Sequence, residues 1–189
     1  MLAWTHDYAT WDKGNILEPH HRTITGERVR NIPHRPPQVE AGTLMQKPIP
    51  PRLVEPYLTG RRAVVAGFVY RAADIAFTEP ADFYAALDLG YEGSEFTADL
   101  DEIYVLRWLA TAPGAYQIPY SADHGGDWTG KPPFTGTGYT SWAGKPIPEF
   151  YIDLMPIPVG TVIYRITSGH TEFIARYDGQ VWLRPAEGV

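Results

Sequence analysis

The strongest constraint on this chain lies near its end, where residues 161–184 read TVIYRIT, SGH, TEFIARY, DG and QVWLR. Val162, Tyr164 and Ile166 alternate with Ile163 and Arg165, and Phe173, Ala175 and Tyr177 alternate with Ile174 and Arg176. Period-two alternation of β-branched and aromatic residues marks strands with two unlike faces. Asp178-Gly179 predicts a two-residue hairpin turn with positive φ at both centres. A three-stranded meander follows, and a meander commits the chain to an antiparallel sheet.

The rest of the sequence is organised around that sheet. Pro33, Pro36, Pro37, Pro48, Pro50, Pro51 and Pro56 crowd residues 1–60, which show no sustained period. Proline removes a backbone donor and restricts its predecessor, so this stretch predicts an extended N-terminal arm without a regular helix or central strand. Trp4, Trp11, Ile16, Leu17 and Leu44 are its candidate anchors. Residues 61–189 form the predicted single α+β domain. Val64, Val65, Phe68, Val69 and Tyr70 predict a first strand, interrupted by Gly67. TEPADFYAALDLG predicts the one main helix, over 79–89, with Thr78 as cap, Pro80 in the first turn and Gly90 as stop. EIYVLRWLA predicts a second central strand, and AYQIPYS a weaker edge strand broken by Pro119. Residues 121–148 remain as a long loop rich in Gly, Pro and aromatics; loops of that length inside a domain are uncommon and often functional.

Composition excludes several classes. The chain has 189 residues and no cysteine, so it has no disulfide framework, thiolate nucleophile or cysteine zinc site. The first residues, MLAWTHDYATWDKG, carry neither a basic region nor an apolar one, and no apolar run has the length a bilayer demands. The expectation is therefore a cytoplasmic protein with no membrane partner. Net charge is −6, but residues 72–153 hold thirteen acids against three bases, a local −10. That field repels phosphate backbones, which argues against nucleic acid, and steers a basic protein inward. Histidine spacing offers no metal site; Asp123, His124 and Asp127 share a turn-like stretch that reads as a polar turn.

Two readings of the loop compete. In the first, the protein is a non-enzymatic binding domain, an acidic immunity or inhibitor protein blocking a basic enzyme cleft. Tyr120, Trp128, Phe134, Tyr139 and Trp142 would anchor the partner, with Asp123, Asp127 and Glu149 steering it. In the second, VYRAAD, GYTSW and HTEF together carry the chemistry. An arginine ending an early strand, a later aromatic-x-Ser element and a glutamate beyond it resemble the arginine-serine-glutamate arrangement of ADP-ribosyltransferase toxins. The resemblance implies NAD as cofactor, with Arg71 on its phosphates, Ser141 bracing the nicotinamide pocket and Glu172 steering the ribosyl cation. A third class is a structural subunit whose arm lies across a neighbour.

Overall fold

The computed structural model describes residues 36–75, 77–91, 93–129, 134–140 and 146–185, together with the backbone of four short upstream strands. These are β1 (Ile16–Leu17), β2 (His21–Arg22), β3 (Arg28–Val29) and β4 (Ile32–Pro33); β1 pairs with β4 and β2 with β3, both antiparallel. Trp4 and Trp11 lie outside the described residues. Downstream come β5 (Leu44–Ile49), α1 (Val54–Leu58), β6 (Val64–Arg71), α2 (Pro80–Ala86), β7 (Glu102–Leu109), β8 (Glu149–Pro156), β9 (Val162–Thr167), β10 (His170–Tyr177) and β11 (Trp182–Leu183). β5 to β11 form one seven-stranded antiparallel sheet in the order β11-β10-β9-β7-β5-β6-β8. The fold is α+β and mostly sheet.

Both faces of the sheet are covered. Met45, Ile49, Leu106, Trp108, Phe150, Ile152 and Ile163 point to the α1 side and pack with Tyr57. Tyr70, Ile103, Val105 and Ile166 point to the other side and pack with Phe83, Ala86 and Leu87 at α2. β7 therefore alternates between two cores, which is why its sequence is apolar on both parities. Trp108 sits wholly inside, and its Nε1 donates to Tyr116 Oη at 2.9 Å, so the indole is buried with its polar group paired.

The predicted arm of residues 1–60 ends earlier than expected. β5 and α1 belong to the sheet domain, and β5 stands at its centre between β7 and β6 despite containing Pro48. The geometry shows how proline is tolerated there. Ala110 N–H donates to Thr43 O at 2.8 Å, so the odd residues of β5 exchange backbone bonds with β7 and the even ones with β6. Gln46 pairs with Tyr70; two places on, Pro48 stands opposite Phe68, where the β5–β6 ladder has stopped. Lys47 Nζ donates to Phe68 O at 3.0 Å. The side chain of one residue thus supplies the donor its neighbour lacks.

Other departures are local. α2 is not capped by a Thr78 or Glu79 side chain; Glu79 instead accepts from Gly169 N–H at 3.0 Å, tying the helix start to the β9–β10 turn. The helix ends at Ala86, and Asp88, whose φ of +50° makes it the non-glycine residue in the left-handed region among those described, follows two places before Gly90. AYQIPYS forms no strand: Gln117 bridges Tyr151 and Tyr120 bridges Thr137 singly, because Pro119 prevents a continuous ladder. The meander forms, but its second turn spans four residues. Tyr177 pairs with Trp182, Gly179 alone has positive φ, and Asp178 Oδ1 accepts from the N–H groups of Gln180 and Val181 at 2.8 Å each. The aspartate side chain organises the loop that the dipeptide was expected to close by itself.

Candidate functional site at the junction of β6 and β8

The described part of the long loop is a knot fastened to the start of β8. Thr135 Oγ1 donates to Tyr139 O at 2.6 Å and lies 2.9 Å from Thr137 Oγ1. Glu149 N–H donates to Gly138 O at 2.9 Å, and Ile147 N–H to Thr140 Oγ1 at 3.2 Å. Gly136 and Gly138 both have φ near +80°; a Cβ on Gly138 would stand 2.7 Å from Ile118 and 2.8 Å from Pro36. The hydroxyls and glycines of TGTGYT are there to turn the chain tightly.

This packing corrects the docking surface expected from the sequence. Tyr139 is fully buried, and Trp128 lies edge-on to Tyr151 with ring centres 4.2 Å apart and tilted against Phe134 at 6.0 Å. Tyr120 is half-buried beside Gly138. Glu149, expected to steer a partner, is 1% exposed. Asp123 and Asp127 do face solvent, whereas Ser141 and Trp142 fall outside the described residues. The rings pin the loop to its own sheet edge because β8 would otherwise present Tyr151 to water.

What the knot and the sheet enclose is polar. Arg107 on β7, Gln46 on β5, Tyr70 on β6 and Glu149 on β8 occupy one cross-strand row, each paired with the next. Arg107 Nε donates to Gln46 Oε1 at 3.0 Å, and its guanidinium lies 5.2 Å from the Tyr164 ring centre. Gln46, Tyr70 and Glu149 are buried. Among the described residues four buried side-chain atoms have no hydrogen-bond partner: Gln46 Nε2, Glu149 Oε1 and Tyr139 Oη here, and Trp128 Nε1 in the loop against Tyr151. Buried polar atoms are nearly always paired, so three at one corner require a reason.

Burial also sets the charges. It pushes the Glu149 carboxyl well above the usual carboxylate range, opposed by the Thr135 backbone N–H and reinforced by Asp88. It pushes Tyr70 up as well, helped by Glu149, Tyr91 and Asp88. Desolvation lowers Arg107 from its ordinary value. Tyr139 is raised by burial, then by Tyr120 and Asp74, against the pull of Arg71. Burial therefore favours the protonated forms of Glu149 and of the phenols, beside one partly desolvated cation.

The arginine of the sequence resemblance reaches this corner, but its glutamate does not. Arg71 ends β6 and is held by Asp74 through two hydrogen bonds, 2.6 and 2.7 Å, with its side chain 20% exposed. Glu172 lies on β10, with β9, β7 and β5 between, a separation of about 19 Å along the sheet at about 4.8 Å per strand. It is 48% exposed and faces Arg165, which also binds Glu102 at 2.7 Å. Arg71 and Glu172 do not form one site. Gln46 escaped sequence reading because it stood among prolines; the signal for the row is that Gln46, Arg107 and Glu149 interrupt otherwise apolar strands.

The exposed acids divide. Glu102 starts β7 beside the β9–β10 turn, and Glu79, Glu95, Asp99, Asp101 and Glu172 gather at the same end, with Arg52 bound to Glu95 and Arg165 to Glu102 and Glu172. Among the described residues no group of three or more His, Cys, Asp or Glu side chains is placed to hold a metal ion, and no helix is long and apolar enough to cross a membrane. No protein-family model, curated protein or solved structure matches the chain at a significant level.

Proposed function

We propose that the chain is a ligand-binding domain whose site is the β6–β8 junction, taking a small polar molecule that supplies partners for Gln46 Nε2, Glu149 Oε1 and Tyr139 Oη. The observation that carries this reading is that those three buried side-chain atoms, on β5, on β8 and in the loop fastened to β8, have no hydrogen-bond partner. Leaving a polar group unpaired in a protein interior costs about 1–3 kcal/mol each, a cost that natural cores avoid unless function requires it. NAD is the first probe, because Arg71 stands at the same corner; if the ligand is cleaved there, the carboxyl at hand is Glu149. Thermal-shift titration with NAD, ADP-ribose and nicotinamide tests the reading. At least one is expected to raise the midpoint of the wild type and to leave Glu149→Leu and Gln46→Leu unmoved. No shift from any of the three, with destabilisation by Tyr139→Phe, assigns the corner to the fold.

A second reading keeps the protein-binding function but moves its surface. The acids at the start of β7 outnumber the arginines among them, and that end suits a basic partner such as an enzyme cleft. Asp99→Lys with Asp101→Lys is then expected to abolish salt-sensitive capture of a basic protein from native lysate. Capture that ignores both the substitutions and the salt contradicts it.

A further inference from the structure

On the face of the sheet opposite the polar row, a chain of hydrogen bonds runs from the core to the outer strand β8. Trp108 Nε1 donates to Tyr116 Oη at 2.9 Å, and Tyr116 Oη donates to Met155 Sδ at 3.9 Å. An indole can only donate and a thioether only accept, so the single phenol proton lies on the side of the sulfur. Met155 reaches that position because β8 carries one extra residue. Gly67 pairs with Ile152 and Val65 with Met155, so Asp153 and Leu154 together stand opposite Ala66. Strict alternation would turn Met155 away from the face that Ile152 occupies; the bulge brings it back to the core that holds Val65, Trp108 and Tyr116. Met155 nevertheless stays half-buried, next to Leu154, which is 73% exposed. Of the other two methionines, Met1 lies outside the described residues and Met45 is wholly buried.

We propose that Met155 is an oxidative modification site, at which hydrogen peroxide converts the thioether to the sulfoxide and Tyr116 Oη holds the oxygen that the sulfur gains. A sulfur lone pair bonds one peroxide oxygen and the O–O bond breaks. The departing hydroxide takes the proton from the newly bound oxygen and leaves as water, so sulfur loses two electrons and the peroxide gains them. The spacing fits the product. An oxygen bonded to Sδ on the phenol side stands one bond nearer Tyr116 Oη than the sulfur does, at about 2.5–3.0 Å, the range of an O–H···O bond. A thioether is a weak acceptor and a sulfoxide a polar one, so the proton already aimed there gains a better partner. Burial raises the Tyr116 phenol above its ordinary value, against the pull of the Trp108 hydrogen bond, which keeps that proton in place. Because the phenol lies on one side of the sulfur, it selects one of the two sulfoxide epimers.

Limited treatment of the full chain with hydrogen peroxide, followed by peptide mass mapping, tests this. Met155 is expected to gain one oxygen at least about tenfold faster than the buried Met45. Exposure alone would give that preference, so the epimer and the phenol carry the decision. In the wild type one epimer is expected in at least about fivefold excess, the ratio one ordinary hydrogen bond supports, read by which epimer-specific sulfoxide reductase clears the Met155 peptide. In Tyr116→Phe the two epimers are expected in equal amounts, and oxidation should lower the thermal midpoint by several degrees more than in the wild type. Loss of the Trp108 acceptor in that variant affects both redox forms alike and cancels from the comparison. The wild-type epimer ratio does not depend on Tyr116→Phe folding. Oxidation of Met155 no faster than of Met45, equal epimers in the wild type, or an equal fall in midpoint in both proteins overturns the proposal.

Discussion

Gln46 and Glu149 flank Tyr70 in a single cross-strand row, one on β5 and one on β8, and each is buried with one polar atom unpaired. A row of this kind is unusual because Gln46 and Glu149 sit where their strands should supply apolar side chains to the α2 core that Tyr70 joins. The consequences are measurable in stability as well as in binding.

Glu149 carries a pH signature. Its folded-state pKa lies well above the ordinary 4.5, so the folded protein holds a proton that the unfolded chain releases. That contribution to stability is fully present below about pH 4.5 and is lost as pH rises toward the folded value. The midpoint of Glu149→Gln should match the wild type below pH 4.5 and exceed it increasingly above. A constant difference across pH contradicts a buried neutral carboxyl.

Lys47 has the opposite dependence. Its pKa falls from 10.5 to about 8 on folding, so between those values the unfolded chain binds more protons and stability rises with pH. The change is on the order of 3 kcal/mol over the window, at about 1.4 kcal/mol per pKa unit. Denaturant melts of the wild type from pH 8 to 10 should show the rise, and Lys47→Met should flatten it. Buried tyrosines act oppositely only above about pH 10.

Gly138 tests the knot that closes the corner. Alanine there meets both a left-handed φ and two side-chain atoms inside 3 Å. Gly138→Ala is expected to cost more than about 2 kcal/mol, combining the left-handed penalty with displaced packing. Gly42→Ala, with similar φ and open space around it, should cost less. Equal losses would show that backbone strain alone accounts for the effect.

The sheet was legible where the sequence alternates and illegible where side chains substitute for backbone. The strands at 162–167 and 170–177 follow directly from period-two patterning. β5 was hidden because Pro48 normally rules out a central strand; only Lys47 reaching Phe68 O makes it possible, and that bond joins residues twenty-one apart in sequence. The site was hidden for a related reason. Arg107, Gln46, Tyr70 and Glu149 are dispersed over four strands, so their meeting is a property of register, which no local spacing reports. The aromatic loop was visible, but composition alone does not say whether rings face a partner or their own sheet.

The most direct measurement is the thermal midpoint of Tyr139→Phe combined with Glu149→Met, at neutral pH and without added ligand. If these polar atoms are held for a ligand, removing them relieves desolvation, and the double variant should melt higher than the wild type. A midpoint lower by several degrees would show that the carboxyl and the phenol serve the fold, and would contradict a binding site at the β6–β8 junction.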